Sequence, residues 1–223
     1  MLDSTTNQYS GDERLLINGQ ASSYSLLNFW QESMSDLILN VNRGTFAEWI
    51  VRCALRESGF NPPDQSNGSM RPYDITGPII PSTGKPARIE IKSAASVQSN
   101  TPDDVAVSLP SNRIVFNIRP ARDWSIGRDP QRNNDLFVFC HYTATRKSDN
   151  ILDLRFWDFY VYPTYRIEDD NIDARLSKQN TISLRRLEML GVSKQSFSTL
   201  YSEIVKTIAD ISDYYGNKNG ATK

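Results

Sequence analysis

The sequence is short of cysteine, histidine and long apolar runs, and each shortage excludes a class of protein. Among its 223 residues are two cysteines and one histidine, too few for a disulfide framework or a Cys/His zinc module. No apolar stretch approaches the ~18 residues of a membrane-spanning helix, and no basic-then-apolar leader opens the chain. We therefore expect a cytoplasmic protein with reduced cysteines and no membrane contact.

Neither sign of charge dominates the chain. Its formal net charge is -1, with 23% charged residues and 39% hydrophobic residues, which is typical of a globular protein. A chain that covers nucleic acid with its whole surface is strongly basic, so any such contact here must be local. The length fits one domain, which we place at 24–215, between a flexible N-terminal segment at 1–23 and a flexible tail at 216–223.

Hydrophobic periodicity predicts two helices, a run of strands, and helices again. The first helix runs from Tyr24 to about Asn40 and the second, after a break at Asn42-Arg43-Gly44, ends near Gly59. Strands are predicted at 72–76, 87–97, 113–118, 136–140 and 157–162, and helices near 183–187 and over 194–215. The unbroken apolar run at 136–140 is typical of a central strand. This order predicts an α+β (mixed α/β) fold with a central mixed sheet of about five strands flanked by helices.

One strand carries an unusual pair of charges. In the stretch PARIEIKSAASVQ, Ile89 and Ile91 share one face, and Glu90 and Lys92 share the other, about 6.6 Å apart along the strand. About one acid-x-Lys match is expected by chance in a chain of this composition, so its position matters more than its presence. An exposed ion pair and a metal site are both open interpretations of the pair.

A second acid supports the metal site. Asp74 lies in the preceding strand, and if the two strands pair, its carboxylate approaches that of Glu90. Two carboxylates so close repel each other unless a cation lies between them. Oxygen ligands of this kind select Mg²⁺ or Mn²⁺. A third acid, Glu48, lies on the second helix, where an i,i+4 ion pair with Arg52 is the simpler interpretation.

An acid on a helix, an Asp at a strand end and Glu-x-Lys on the next strand together resemble the PD-(D/E)XK nuclease superfamily. The resemblance spans roughly residues 43–162 and is clearest in RGTFAEWIV, YDITGP and RIEIKSAASVQ; FNIRPARDW and DFYVYPT are similar to uncharacterised bacterial members. Tyr73 precedes Asp74 where the family name has Pro. The resemblance implies a restriction-endonuclease-like core and a Mg²⁺-dependent endonuclease.

The resemblance also implies a role for each site residue. Asp74, Glu90 and the backbone carbonyl of Ile91 would bind the metal, and Lys92 would position the attacking water and stabilise charge on the phosphate. Glu48 would support the metal through water or hold Lys92. A polar residue that some branches place after the motif corresponds to Gln98, which becomes a candidate nucleic-acid contact.

A basic segment offers a place for the substrate. Five arginines and only two aspartates lie between Asn112 and Asn133, a local charge of +3. Guanidinium groups suit phosphate oxygens, so Arg113, Arg119 and Arg122 are candidate DNA contacts. A solvated charged loop is the alternative interpretation of this segment.

The sequence thus favours an endonuclease acting on DNA, with RNA as an open alternative and restriction or phage defence as the role that family membership suggests. We also expect a homodimer that cuts both strands, or a partner protein that delivers the substrate. The rival hypothesis is a catalytically silent module with the same fold that serves DNA binding or complex assembly.

Overall fold

The computed structural model describes residues 9–63, 72–120, 131–173 and 175–220. Its strands are β1 (Arg14–Ile17), β2 (Gln20–Ser25), β3 (Ile75–Ile80), β4 (Lys85–Ala95), β5 (Val115–Asn117), β6 (Leu136–Tyr142), β7 (Trp157–Pro163) and β8 (Thr181–Ser183). Its α-helices are α1 (Leu26–Met34), α2 (Asn40–Glu57), α3 (Tyr165–Glu168), α4 (Asp170–Asp173), α5 (Leu184–Met189) and α6 (Phe197–Gly220). A 3₁₀ turn, Leu154–Phe156, leads into β7.

A mixed sheet forms the centre of the fold, with the strand order β3-β4-β6-β7. Strands β4 and β6 are parallel, and the two outer pairs are antiparallel. Strand β6 is paired on both sides and buried along nearly its whole length, as its unbroken apolar run predicts. The sheet therefore has an interior parallel pair, and the longer of these two strands, β4, carries Glu90 and Lys92.

Each face of this sheet has its own apolar core. On one face, Ile89, Ile91 and Val138 pack with buried residues of α2 and α6. On the other face, Phe137 and Phe139 pack with residues of β5, β8 and α5. The alternation along β4 sends Ile89 and Ile91 into the first core, so Glu90 and Lys92 point away from it.

The central sheet has four strands in the described part of the chain, whereas the sequence predicts about five. The strand predicted at 113–118 forms as β5 but pairs with β8 in a separate two-stranded sheet. Its apolar side chains, among them Phe116, cover the sheet from outside: the Phe116 and Phe139 ring centroids are 5.0 Å apart. Alternating hydrophobicity predicts a strand but not its partner, so both arrangements satisfy the same pattern.

The predicted helix break at Asn42-Arg43-Gly44 is also wrong, because this tripeptide lies inside α2. The break lies earlier, between Met34 and Asn40. The Asn42 side-chain amide donates to the carbonyls of Ser33 and Asp36 at 3.3 and 3.1 Å, which fastens α2 to the end of α1. These contacts between helices outweigh the weak helix propensity of Asn and Gly.

Strand β3 runs through Gly77-Pro78, where a stop was predicted. The pairing with β4 shifts by one residue between Thr76 and Ile79, so a bulge accommodates the proline, which has no N–H for the ladder. A Cβ on Gly77 would lie 2.8 Å from Cδ1 of Ile89, so a larger residue there would force the buried Ile89 side chain to move.

At the N-terminal end, β1, β2 and α1 form a small unit. Asn18 and Gly19 both have positive φ, at 52° and 81°, the combination that a two-residue type I′ hairpin needs. The backbone N–H of Leu26 donates to the carbonyl of Glu13, so α1 folds back onto the start of the hairpin. Among the helices in the described part of the chain, none combines the length and apolar character required to cross a bilayer.

Candidate functional site

Asp74 is fastened to β4 by two hydrogen bonds. Its backbone N–H donates to the carbonyl of Ile89 at 3.0 Å, and its Oδ2 accepts from the N–H of Ile91 at 2.7 Å. Strand β3 begins only at Ile75. The N–H of Ile91 on β4 is therefore bound by the side chain of Asp74 and not by a backbone carbonyl of β3. The expected pairing of these strands is confirmed, and it fixes this carboxylate beside the Glu-x-Lys segment.

Glu90 and Lys92 lie on one face of β4 and form an ion pair through Oε1 and Nζ. Their side chains are 18% and 30% exposed, so the pair is partly shielded from water but open to solvent on one side. An ion pair at this depth contributes little net stability, because its desolvation cost offsets much of the Coulomb attraction. This pair is therefore compatible both with a simple ion pair and with part of a metal site.

Glu48 joins the same group of charges from α2. Burial, followed by the negative charge of Asp74, raises its pKa to about 7, with a smaller contribution from Glu90; Arg52 and Lys92 act in the opposite direction. The carboxyl of Glu48 is thus electrostatically coupled to all three residues of the predicted motif. The fold thus brings four charged side chains to one region of the sheet, although they are spread over 45 positions of the sequence. They are Glu48, Asp74, Glu90 and Lys92.

The other two carboxyls are perturbed in the same direction. Burial and then the charge of Asp74 raise the pKa of Glu90 to about 7, against the lowering effect of Lys92. Burial also raises the pKa of Asp74, although its hydrogen bond from Ile91 and the charge of Lys92 work against this. Three half-buried carboxyls therefore share one lysine, which leaves the site with an excess of negative charge when they ionise.

Arg52 belongs to the site in a way that the sequence did not indicate. The sequence predicts it only as a helix-surface ion-pair partner of Glu48, four residues away. In the structure its Nη2 donates to the backbone carbonyl of Asp74 at 2.8 Å, and its charge lowers the pKa of both Glu48 and Asp74. The i,i+4 spacing was the available signal, but its contact with β3 depends on the tertiary fold.

In the part of the chain that the structure describes, no group of three or more His, Cys, Asp or Glu side chains is arranged to hold a metal ion. The predicted ligand set is smaller, since it needs two carboxylates and one backbone carbonyl. Carboxylate oxygens are hard donors, and a divalent cation such as Mg²⁺ between two carboxylates offsets their mutual repulsion. The chemistry of Asp74 and Glu90 fits that ion.

The candidate nucleic-acid contacts fall into three groups. Arg113 and Arg119 are exposed at the two ends of β5. Gln98 is half-buried, and its side-chain amide donates to the carbonyl of Ala95 at 2.8 Å. Arg122 lies outside the described residues. Roles for all four in binding stay predictions.

Arg132, the last arginine of the basic segment, is buried in the fold. Its side chain is 4% exposed and donates to the carbonyls of Ile118 and Gln179, each at 2.8 Å. It joins the end of β5 to the chain ahead of β8. The cationic surface of the segment is therefore smaller than its sequence indicates.

No protein-family model matches the chain, and no curated protein does. Among solved structures, the chain is similar to a bacterial homing endonuclease, I-Ssp6803I, with a TM-score of 0.34 and 17% sequence identity. The similarity covers 63% of this chain and 74% of that one. A similarity at this level carries no argument about function, so the case for the site comes from its own geometry and charges.

Proposed function

We propose that this protein is a metal-dependent nuclease of the PD-(D/E)XK kind that hydrolyses phosphodiester bonds in DNA. The observation that carries the proposal is the charge cluster at the start of β3. There Asp74 is fixed against Ile91, beside the Glu90–Lys92 pair and within electrostatic reach of Glu48. Three carboxyls with raised pKa values beside only two cations, Lys92 and Arg52, are more typical of a reactive site than of a stabilising surface ion pair.

Asp74 and Glu90, with the backbone carbonyl of Ile91, would hold Mg²⁺ or Mn²⁺. When bound, such a metal lowers the pKa of its water and neutralises charge on the scissile phosphate. It would also relieve the repulsion between the two carboxylates, since both would then be ionised beside a positive charge.

Lys92 and Glu48 would take part in the reaction through their own charges. Lys92 is the cation on the same face as Glu90, and it would stabilise the negative charge that develops on the phosphate. A carboxyl with a pKa near 7 is present in both protonation states at neutral pH, so Glu48 can exchange a proton with a nearby water.

The substrate would contact the two exposed arginines at the ends of β5, Arg113 and Arg119. Arg122 and Gln98 would be additional contacts. With a net charge of -1, the chain would bind DNA only through this local basic surface. RNA as a substrate, a partner protein that delivers the DNA, and a role in restriction or phage defence are parts of the same proposal. Each is open to test once cleavage is measured.

The alternative is a silent module that binds DNA or assembles complexes without cutting. The direct contact between Lys92 and Glu90 favours it, because an ion pair of this kind also occurs at sites without chemistry. The intact set of Asp74, Glu90 and Lys92 favours the enzyme.

Plasmid cleavage separates these two functions. Supercoiled plasmid is incubated with the protein in Mg²⁺, Mn²⁺ or EDTA, and nicked and linear products are measured over time. We expect metal-dependent nicking that Lys92→Ala lowers by about 100-fold or more, because one positioned charge at a transition state has an effect of that size. Lys85→Ala, an exposed lysine at the beginning of the same strand, should cleave as the wild type does.

Two further measurements complete the comparison. DNA binding without cleavage in any metal supports the silent module, and cleavage that is equal in Lys92→Ala contradicts the proposed site. Isothermal titration with Mg²⁺ reports metal binding independently of activity, and Glu90→Gln should weaken it. Single-stranded RNA offered beside DNA identifies the polymer.

A further inference from the structure

The hairpin and helix at the N-terminal end form a unit that we call the arm, residues 10–34. The structure describes this stretch in full, and no residue of β1, β2 or α1 in it is buried. Within the arm, Trp30 packs against the backbone of Gly11, where a Cβ would come within 2.9 Å of the indole ring. The arm is therefore folded on itself while it contributes nothing to either core of the main sheet.

The arm exposes large apolar side chains. Seven of them are between 40% and 68% exposed. They are Leu15, Leu16, Ile17, Tyr24, Leu27, Phe29 and Met34. Side chains alternate along a strand, so Leu16 and Ile17 face opposite sides of the hairpin and the exposed apolar groups lie on both of its faces. Monomeric proteins rarely leave so many large apolar groups of one small unit open to water, and those that do generally use them for interaction.

The arm is also free of charge over most of its length. From Leu15 to Gln31 there is no Asp, Glu, Lys, Arg or His, in a chain that is 23% charged. Interface centres are depleted of charged residues in the same way. A solvated surface hairpin would instead be expected to carry lysine or glutamate.

The strands of the arm have open edges. Strands β1 and β2 pair only with each other among the strands of the described residues, so each has one edge without a neighbouring strand. Side chains of the arm bond two backbone groups of β2: the Arg14 guanidinium donates to the Ser23 carbonyl at 2.6 Å, and the Tyr24 N–H donates to the Ser22 hydroxyl at 3.1 Å. A two-stranded sheet is marginally stable in water by itself. Contact with another surface would cover the apolar side chains and extend the ladder together.

We propose that the arm is a dimerisation surface and that its occupant is the arm of a second copy of this chain. At roughly 100 Å² for each half-exposed large side chain, the seven present about 700 Å² over the two faces of the arm. Two arms that enclose each other would therefore bury close to the ~800 Å² per partner of a specific interface. In a twofold interface every group near the axis faces its own copy, so a charged patch would repel itself. The uncharged stretch from Leu15 to Gln31 avoids that repulsion.

The inference does not depend on nuclease activity, and sedimentation of the full chain tests it. Analytical ultracentrifugation over about 1–50 μM should show the wild type as a dimer. Leu16→Glu would place two carboxylates at the interface and should sediment as a monomer, with at least a tenfold weaker association. Met189→Glu is the matched control, since Met189 is also 68% exposed but lies outside the arm, and it should remain a dimer.

Circular dichroism and thermal unfolding verify that the variants are folded. Phe29→Glu provides a second test from the helix of the arm and should also give a monomer. A wild type that is monomeric throughout the concentration range overturns the proposal. A dimer that survives both Leu16→Glu and Phe29→Glu overturns it as well, because its interface must then lie elsewhere.

Discussion

The fold places the Glu48 carboxyl where its ionised form is destabilised. Its pKa of about 7, against 4.5 for an ordinary glutamate, results first from burial and then from Asp74. The folded protein therefore binds a proton at this residue that the unfolded chain has already released at the same pH. Such a residue lowers stability at neutral and alkaline pH.

Replacing this residue tests the electrostatics directly. In EDTA, Glu48→Gln should raise the free energy of unfolding at pH 8 by ~1–2 kcal/mol and have little effect at pH 4.5. The sign follows because a raised carboxyl pKa favours the folded state only while the group is protonated, and this contribution is lost as the pH rises from about 4.5 through 7. Urea unfolding at several pH values measures it.

Glu57→Gln is the control for this experiment. Glu57 is an exposed glutamate in the last turn of the same helix, and its replacement should change the free energy of unfolding by less than ~0.5 kcal/mol, as is usual for a surface substitution. An equal effect of Glu48→Gln at pH 4.5 and pH 8 would contradict the assigned electrostatics.

At the scale of elements, one buried arginine orients α2 against the sheet. Arg43 is 1% exposed. Its guanidinium donates to the Ile38 carbonyl at 2.8 Å, to the Asn40 side chain at 2.7 Å and to the Ser93 hydroxyl at 3.2 Å. Since Ser93 follows Lys92 on β4, this contact connects the helix that carries Glu48 with the strand that carries the ion pair.

Arg43→Ala should lower the free energy of unfolding by ~2–4 kcal/mol, because it leaves buried acceptors without donors and removes packed volume. Chemical denaturation measures the loss. Arg56→Ala, at an exposed position of the same helix, should change it by less than ~0.5 kcal/mol. Equal losses in the two variants would mean that Arg43 does not hold the helix in place.

The same residues show how far the sequence predicts these elements. The strand that bears Glu90 and Lys92 follows from alternation, and its pairing with the strand after Asp74 follows from the short turn at 81–84. The continuity of α2 through Asn42-Arg43-Gly44 does not, because side-chain contacts with distant parts of the chain stabilise it. The partner of β5 is likewise decided by tertiary packing, since alternation alone does not specify a neighbour.

The arm was missed although the sequence carries its signal. Asn18-Gly19 between two apolar-containing segments predicts a two-residue hairpin, but the polar residues around it favoured an unstructured segment. The prediction of the domain boundaries stays a prediction. For the site, spacing predicted Asp74, Glu90 and Lys92 as neighbours, whereas the contact of Arg52 with the Asp74 backbone depends on how α2 packs.

For the whole molecule, the distribution of charge governs how DNA would bind. Binding should weaken steeply as salt rises, because the proposed contacts would be between arginines and phosphates. Arg119→Ala should weaken DNA binding at all sequences and reduce the slope of log K against log salt by about 1. Fluorescence anisotropy at several salt concentrations measures both quantities.

Arg155→Ala provides the comparison for this measurement. The Arg155 side chain is 86% exposed and lies outside the basic segment. Its removal also lowers the total charge by one. Because Arg155 lies outside the proposed contact surface, the slope of log K against log salt should nevertheless stay unchanged. If the two variants have equal slopes, the protein binds DNA through its overall charge and not through the segment around β5.

The bulge in β3 has a consequence for chain length. The extra residue at Gly77-Pro78 is taken up by the bulge: Thr76 stays opposite Arg88 and Ile79 stays opposite Pro86, although β3 has two residues between these pairs and β4 has one. Deleting Pro78 would leave one residue on each strand at this point, so the ladder could run regularly and Asp74 would keep its place beside Ile91. Losing Gly77 as well would leave β3 one residue short, and a slip of one residue would turn Asp74 to the opposite side of the hairpin. The proposed site would then be lost although every residue in it kept its identity, and a comparison of those residues alone would not detect the damage.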